Sequence, residues 1–245
     1  MKGLIKAIAR RLGYRIQHVP AIFRLQPDIE YRLRLEHLAA LQFCRHRDFF
    51  FVQVGANDGS TVDPIHQMVR RYQWRGMLIE PEPRAFAALQ ETYRDAPQLT
   101  MIQAAIGPVD GSVTFYRVRP DVPGLPDKAP LVSSLDRAML LRNIGAEFSP
   151  FVEGIEVPGC TLTSLFRQHG ITRVDLLQID AEGYDLKVLQ SLDFSTVHPG
   201  VISFEHALLS PADQLTAWQF LAERGYQLFI RPPDTMACCA FVCGD

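Results

Sequence analysis

The stretch FFFVQVGANDGS (residues 49–60) begins with a nearly unbroken apolar run that ends at Gly55. Such a run is typical of a parallel strand whose two faces are both covered by protein. Glycine at its end permits a tight turn and lets a ligand come close to the backbone. A helical pattern follows from about Thr61 to Tyr72. The stretch therefore predicts a strand, a glycine turn and a helix, the first unit of an α/β fold.

The same alternation of strand and helix recurs along the chain. Further strands are predicted at 76–80, 99–104, 174–180 and 201–205, and helices at 83–94, 161–169, 184–192 and 211–224. Residues 226–230 and 238–242 are typical of an antiparallel pair that closes the sheet. Strands that alternate with helices predict right-handed parallel crossovers. We therefore predict an α/β fold with a doubly wound, mostly parallel sheet.

Two segments interrupt this alternation, and helices precede it. Residues 112–118 predict a strand inserted at the sheet edge, whereas residues 119–158, rich in proline, glycine and polar groups, predict an irregular lid or substrate loop. Disorder is the alternative for the second segment. Residues 1–24 predict a basic amphipathic helix, and a second helix is predicted from about Asp28 to His46. We therefore divide the chain into an N-terminal extension, 1–48, and a main domain, 49–245.

Composition narrows the classes of partner. A net charge of −2 over 245 residues gives no reason to expect nucleic acid, because nucleic-acid-binding domains are usually basic. No apolar run approaches the roughly 18–20 residues of a membrane span, and the N-terminus lacks the pattern of a signal peptide. An odd number of cysteines suits reduced thiols in the cytoplasm. The basic helix predicts peripheral contact with an anionic membrane, or packing on the main domain or on a second copy of the chain.

In open parallel sheets, ligands bind at the carboxyl ends of the strands, near the point where strand order reverses. The residues just after the predicted strands should therefore converge on one crevice. These residues are Gly55, Ala56, Asn57, Asp58 and Gly59 after the first strand, Glu80 after the second, Gln103 to Ile106 after the third, Asp180 to Gly183 after the fourth, and Glu205 and His206 after the fifth. Within 103–106, Gln103 and Ala105 are the residues that we expect to contact the ligand.

The first two of these strand ends indicate the kind of ligand. The glycine turn is not G-x-G-x-x-G, and Asp58 places a negative charge where a dinucleotide pyrophosphate would bind. A cation such as a sulfonium with an ammonium group is not repelled there. Glu80 is a carboxylate that can accept hydrogen bonds from both hydroxyls of a ribose. Together they favour S-adenosylmethionine over a nicotinamide, although a plain connecting turn and a solvated acid are the simpler alternatives.

Several motifs resemble the FkbM family of class I methyltransferases. They are FVQVGANDGS (51–60), GMLIEPEPRAFAALQ (76–90), IQAAIGPVDGSVTFY (102–116), Ser133-Ser134-Leu135, TLTSLFRQHGITRVDLLQIDAEGYDLKVLQSL (161–192) and VISFEH (201–206). The resemblance implies a seven-stranded Rossmann-like sheet and an O-methyltransferase that acts on a hydroxyl, often of a sugar or natural product. It also implies that Gly55 and Gly59 approach the methionine portion of the cofactor, that Glu80 binds the ribose, and that the adenine lies near 103–106. Gln53 stands where many relatives carry an acid.

The remaining strand-end residues are candidates for catalysis. Transfer of a methyl group to a hydroxyl needs an acceptor oxygen about 3 Å from the methyl carbon and a base for its proton. Asp180, Glu182, Glu205 and His206 are the candidates for this base, with Asp180, Glu205 and His206 preferred, and we expect Asp180 to contact the cofactor as well. Asp180, Glu182 and Glu205 are the alternative ligands of a divalent metal that would activate the hydroxyl. Asp180 and Glu182 could instead cap the helix that follows them, and His206 could be a core residue with no role in catalysis.

Two other functions fit a sheet of this class. A nicotinamide-dependent enzyme would need a phosphate-binding glycine loop, which this sequence lacks. A non-catalytic interaction module would have no need of the acids at the strand ends, which are present. We therefore expect a methyltransferase whose acceptor is a small molecule or a saccharide.

Overall fold

The computed structural model describes residues 35–45, 48–119, 122 and 132–239. The helices among them are α1 (Leu35–Arg45), α2 (His66–Tyr72), α3 (Pro83–Thr92), α4 (Arg137–Ile144), α5 (Leu162–Gln168), α6 (Asp185–Gln190) and α7 (Pro211–Ala222). The strands are β1 (Phe50–Val54), β2 (Arg75–Ile79), β3 (Leu99–Ile102), β4 (Ala105–Ile106), β5 (Gly111–Val118), β6 (Ser133–Ser134), β7 (Val152–Cys160), β8 (Leu176–Ile179), β9 (Val201–Glu205), β10 (Tyr226–Arg231) and β11 (Asp234–Cys239). No helix in the described ranges is long and apolar enough to cross a bilayer.

The main sheet confirms the predicted fold class. Within the described residues it has seven strands in the order β10-β11-β9-β8-β1-β2-β3, and only β11 runs antiparallel to its neighbours. The chain moves outward from β1 through β2 to β3 and then returns to β8 on the other side of β1. Strand order therefore reverses between β1 and β8. The closing antiparallel pair is also confirmed, although β11 begins at Asp234 and not at Cys238.

Apolar residues on both faces of the central strands hold the sheet between helices. Leu35, Leu38 and Ala39 of α1 are buried in the same core cluster as Phe51 of β1 and Leu176 of β8. The helix predicted over 28–46 is thus present from Leu35 onward and packs on the sheet. Residues 28–34 of that helix and the basic helix within 1–24 lie outside the described residues, so the division at residue 48 stays a prediction.

A second sheet corrects two predictions. Its strands are ordered β4-β7-β5-β6, so residues 112–118 do not lie at the edge of the main sheet. The segment 119–158 is not irregular as a whole, because it contains β6, α4, a 3₁₀ helix (Ala146–Phe151) and most of β7. Strand β7 pairs with β5 along its length, from Gly111↔Gly159 to Val118↔Val152. The strand is stabilised by a partner distant in sequence, and its own residues do not form an apolar run.

Helix α4 is fastened to the second sheet by a small core of its own. Leu140 is fully buried and packs with Val118 of β5 and with Ile144 at the end of α4. Asp136 caps the helix by accepting hydrogen bonds from the backbone N–H groups of Ala138 and Met139. This cluster is separate from the core under the main sheet and holds α4 over the carboxyl ends of the strands.

The substitution Leu140→Ala should lower the free energy of unfolding by about 2–4 kcal/mol, because it leaves a cavity in a small closed cluster. Urea unfolding followed by circular dichroism measures the change. Leu141→Ala, the same truncation at a half-buried neighbour, is the matched control and should cost clearly less. Equal losses of unfolding free energy in the two variants would mean that Leu140 does not form a closed core with Val118 and Ile144.

Candidate functional site

A cavity of about 460 Å³ opens at the carboxyl ends of β1, β2, β8 and β9, next to the point where strand order reverses. The main sheet forms one wall through the residues that follow its strands. The second sheet and α4 form the opposite wall with Phe115, Ser133, Leu135 and Asn143. Ser133, Leu135 and Asn143 lie in the segment 119–158, which the sequence predicts to be a lid or substrate loop. The sequence does not show that this segment joins Phe115 of β5 in a second sheet.

Gly55, just after β1, packs tightly against the backbone of Asp180, just after β8. Its φ of 77° lies in the left-handed region. A side chain there would place its Cβ 1.8 Å from the carbonyl oxygen of Asp180. The N–H groups of Gly55 and Ala56 both donate to the carbonyl of Ile79, at 2.9 and 3.0 Å. Only glycine fits here, and Gly55, Ala56 and Asn57 form part of the cavity wall.

Glu80 connects the turns after β1 and β2. Its carboxylate accepts hydrogen bonds from the backbone N–H of Asn57 and the backbone N–H of Glu82, both at 2.8 Å. Burial raises the pKa of Glu80 to about 7, despite these two hydrogen bonds, and the nearby charges of Glu82 and Asp180 add to the rise. The side chain is only 5% exposed, and what is exposed faces the cavity. Each oxygen therefore keeps a lone pair available for a ligand.

Asp58 and Gly59 do not line the cavity, although the sequence predicts that they contact the cofactor. The Asp58 carboxylate accepts four hydrogen bonds from the backbone and hydroxyl groups of Ser60 and Thr61. Burial raises the pKa of Asp58, but these bonds outweigh it and leave the pKa lowered. A Cβ on Gly59 would lie 2.6 Å from Leu89 and Tyr93 of the α3 segment. Both residues therefore shape the turn and its packing.

The loop from Thr61 to Pro64 replaces the predicted first turn of α2. Asp63 accepts hydrogen bonds from the N–H groups of Ile65 and His66, so the helix begins only at His66. Val62 projects from this loop at the cavity wall, 91% exposed and with a φ of 58°. A left-handed conformation is uncommon for a β-branched residue and marks a strained position.

At the end of the third strand the cavity is lined by alanines and an isoleucine. Ala104, Ala105 and Ile106 face it, whereas Gln103 does not. Ala105 and Ile106 form β4, which pairs with β7 and so connects the main sheet to the second one. This position gives the cavity an apolar surface.

Asp180 and Glu205 face the cavity from the neighbouring strands β8 and β9. The side chain of Asp180 is accessible from the cavity, yet the surrounding protein raises its pKa to about 6, first through desolvation and then through the charges of Asp234 and Asp63. The two strand ends are joined by Asp185, which sequence analysis missed. Asp185 is fully buried and accepts hydrogen bonds from the N–H of Gly183 and the N–H of Glu205, both at 3.2 Å.

His206 lies away from the cavity. Its ring packs edge-on against Trp218, with centroids 5.6 Å apart, and its Nδ1 is 3.0 Å from the hydroxyl of Thr235. Burial lowers the pKa of His206. Its backbone N–H donates to the carbonyl of Pro233, which turns the residue toward α7 and β11. The structure therefore does not bring this candidate base to the other strand-end residues.

The predicted metal ligands share the cavity but do not form a metal site. Asp180, Glu182 and Glu205 all line it. Over the described ranges, however, no three Asp, Glu, His or Cys side chains converge closely enough to hold a metal ion. The Glu182 carboxylate instead accepts a hydrogen bond of 3.2 Å from the amide of Asn143 in α4. This contact links the turn after β8 to the opposite wall.

The charges on the cavity wall have one sign. No lysine, arginine or histidine is among the described residues that line it. The carboxyl side chains there are Asp63, Glu80, Glu82, Asp180, Glu182 and Glu205. At the rim, Glu82 forms ion pairs with Arg84 and Arg117. Such a wall stabilises a cationic ligand and repels a pyrophosphate.

Comparison with known proteins then identifies the family. A model of the methyltransferase FkbM domain matches residues 53–228, well over half of the chain. The chain belongs to the FkbM methyltransferase family. The family implies S-adenosylmethionine as the methyl donor and removes the support for a nicotinamide-dependent enzyme. No protein of curated function is significantly similar in sequence.

Solved structures of methyltransferases are similar to this FkbM domain at low identity. Methyltransferase FkbM from Methylobacillus flagellatus KT is 15% identical with a TM-score of 0.49, over 78% of this chain and 43% of that one, so this chain spans less than half of its length. Precorrin-6y C5,15-methyltransferase from Geobacter metallireducens GS-15 is 11% identical with a TM-score of 0.41, over 89% and 98% of the two chains. The fold assignment rests on the strand order and the family match.

The residues of the FkbM cavity fit a sulfonium cofactor. The backbone at Gly55 is bare, the buried Glu80 is positioned for two hydroxyl donors, and the wall carries only negative charge. A positively charged donor that contains a ribose matches all three features.

Gly55→Ala should lower the free energy of unfolding by more than the cost of placing an alanine in the left-handed region. Gly170 provides the matched control, because its φ is 63° and a Cβ there meets nothing within 4 Å. Gly170→Ala should cost about 1–2 kcal/mol of unfolding free energy, the usual cost of a left-handed L-residue. Gly55→Ala adds a collision with the Asp180 carbonyl, so its loss should clearly exceed that of the control in urea unfolding. Equal losses would mean that the ends of β1 and β8 can separate freely.

Proposed function

We propose that this chain transfers a methyl group from S-adenosylmethionine to a hydroxyl oxygen of a neutral sugar or natural product. The observation that carries the proposal is the pair of carboxylates, Asp180 and Glu205, at neighbouring strand ends on the same cavity. The pKa of Asp180 near 6 suits a general base that works close to neutral pH. A hydroxyl acceptor needs such a base.

The donor half of the cavity lies around the ends of β1, β2 and β3. Glu80 accepts hydrogen bonds from the ribose hydroxyls, and the backbone from Gly55 to Asn57 contacts the methionine portion. Ala105 and Ile106 pack on the adenine. When the cofactor is bound, its sulfonium makes the methyl carbon electrophilic. The protein then has to orient the acceptor, exclude water and accept one proton.

The acceptor half lies between Asp180, Glu205 and the second wall. Asp180 accepts the proton of the hydroxyl as the oxygen attacks the methyl carbon, and Glu205 orients the acceptor. Ser133, Asn143 and Tyr184 add hydroxyl and amide groups to the same wall, which suits an acceptor with several hydroxyls. The absence of a basic side chain among the described lining residues favours a neutral acceptor over a sugar phosphate.

Binding of S-adenosylhomocysteine tests the donor half. Calorimetric titration should show micromolar binding to the wild type and no binding of NAD. Affinity should rise with pH up to about 7 and then level off, since the pKa of Glu80 is about 7 and only the ionised carboxylate accepts both ribose hydroxyls. Glu80→Gln should weaken binding by roughly 10- to 100-fold and abolish this pH dependence. The exposed Glu91→Gln on α3 is the control; binding that is insensitive to Glu80→Gln would refute the ribose contact.

Methyl transfer tests the acceptor half. Tritiated S-adenosylmethionine and a panel of methyl glycosides should give O-methyl ethers, identified by mass and NMR, whereas glucose 6-phosphate should stay unmodified. Asp180→Asn should lower kcat by about 100-fold or more. The wild-type rate should increase as pH rises through about 6, where Asp180 loses its proton, and the variant should lack this limb.

The control for that assay is Asp193→Asn, an exposed acid outside the cavity. It should leave the rate and its pH profile unchanged. A product methylated on nitrogen or carbon, or a full rate in Asp180→Asn, would contradict the proposed O-methyl transfer.

A further inference from the structure

A second cavity, of about 190 Å³, adjoins the main one, and we call it the apolar groove. It is lined by the turn 107–109 and by residues of β4 and β5, and it shares Ala105, Leu135 and Tyr184 with the main cavity. A Cβ on Gly107 would lie 3.5 Å from Leu135 and 3.8 Å from Tyr184, which are ordinary contact distances. Both side chains therefore stand over the same stretch of backbone, where the groove meets the main cavity.

The second sheet contributes one apolar surface to both cavities. In register, Val113 is directly opposite Val157, and Phe115 is directly opposite Ile155. Directly opposed residues project from the same face of a sheet, and here they cluster with Leu135. Phe115 lines the main cavity, whereas Val113, which is only half-buried, lines the groove. The apolar face of the sheet thus continues from one cavity into the other.

The rim of the groove is held in place by hydrogen bonds to α5. Val109 lies on this rim and is 59% exposed. The carboxylate of the next residue, Asp110, accepts hydrogen bonds from the backbone N–H of Thr161 at 2.8 Å and from the hydroxyl of Ser164 at 2.6 Å. A ligand that covers an anchored apolar residue binds with little further loss of conformational freedom in the protein.

The two cavities differ in polarity. Among the described residues that line the groove there is no Asp, Glu, Lys, Arg or His, whereas the main cavity carries six acids. The groove has two side-chain hydroxyls, and that of Thr114 donates to the carboxylate of Glu156 at 2.7 Å. A ligand that fills both cavities therefore has a polar part with several hydroxyls and an apolar part.

The volume of the groove indicates the size of the apolar part. An apolar cavity of about 150 Å³ is large enough to bind benzene. The groove, at about 190 Å³, therefore has room for a single aromatic ring. Sugar hydroxyls would lose their water there and find few partners, which makes a second sugar a poor occupant.

We propose that the apolar groove binds an apolar aglycone the size of one aromatic ring, the non-sugar part of a glycoside whose sugar hydroxyl receives the methyl group. This assignment rests on the proposed function, because it takes the sugar to lie between Asp180, Glu205 and the second wall. Leu135 and Tyr184 then contact the junction between the sugar and the aglycone. The groove makes the protein select glycosides with an apolar substituent over sugars without one.

Matched pairs of glycosides measure this preference. Each methyl glycoside of the acceptor panel is compared with the phenyl glycoside of the same sugar, by calorimetric titration into protein saturated with S-adenosylhomocysteine. For the sugar that the protein accepts, the phenyl member should bind at least about 10-fold more tightly, because its ring leaves water for an apolar surface. In the methyl-transfer assay the same difference should appear in KM, with kcat unchanged.

Two substitutions in the groove should reduce the difference. Val109→Ser removes apolar surface from the exposed rim, and Val113→Thr keeps the branched shape of the side chain but places a hydroxyl in the groove. Each should weaken the phenyl glycoside by roughly 3- to 10-fold and leave the affinities for the methyl glycoside and S-adenosylhomocysteine unchanged. The matched controls are Ile230→Ser, exposed on β10, and Val152→Thr, half-buried on β7, because neither residue lines a cavity. They should change none of the three affinities.

The outcomes separate this inference from the function on which it rests. Equal affinity for the two members of every pair, or a preference that both substitutions leave intact, overturns the groove assignment and leaves the methyltransferase intact. Weaker binding of S-adenosylhomocysteine to Val109→Ser assigns the groove to the cofactor and overturns it too. If Val113→Thr loses all binding and so fails to fold, Val109→Ser decides alone. A wild type that binds S-adenosylhomocysteine but no glycoside refutes the proposed acceptor and this inference, and one that does not bind S-adenosylhomocysteine refutes the proposed function itself.

Discussion

The site depends on how closely the ends of β1 and β8 pass each other at Gly55. The Asp180 carbonyl occupies the space that any side chain would need, so the two strand ends converge only around a bare backbone. That contact places the turn after β1 beside the turn after β8. Glu80 holds the turn after β2 to the turn after β1 through its two hydrogen bonds. Asp185 holds the turn after β8 to the end of β9 in the same way. Four strand ends are thereby held in one arrangement.

Buried carboxylates serve as the connectors in this arrangement. Glu80 and Asp185 each accept two backbone N–H groups from different segments. Burial raises the pKa of both groups, which means that the protein holds them against an electrostatic cost. Acids at such positions are expected where a cation later binds, because the ligand's charge lowers that cost. The same reasoning explains why an FkbM cavity can carry six acids and remain a folded pocket.

The sequence predicted the main sheet well and the second sheet poorly, for a physical reason. Strands such as β1 and β9 are apolar on both faces, so each can be identified from its own residues. Strand β7 is stabilised by pairing with β5, about forty positions earlier, and its mostly exposed or half-buried residues show no apolar run. At the site, the rule that ligands bind at strand ends selected Gly55, Glu80, Asp180 and Glu205, which line the cavity and whose roles stay predictions. It misplaced His206, because the residue after a strand can turn to either side.

The polar residues Gln53 and Gln178, which lie inside apolar strands, could not be placed side by side from the sequence. Their register cannot be known before the strands are paired. The segment 119–158 was predicted as a lid or substrate loop, but its strand β6 and helix α4 were not, since they reach the cavity only through pairing distant in sequence.

The separate core of Val118, Leu140 and Ile144 has an evolutionary consequence. In the proposed function, the wall that faces the acceptor is built on that core, whereas the proposed cofactor half is built on the main sheet. Mutations, insertions or exchanges in the second sheet and α4 can therefore change the shape of one half of the cavity while the other half keeps its geometry. A fold divided in this way allows acceptor specificity to change during evolution while the cofactor site is retained.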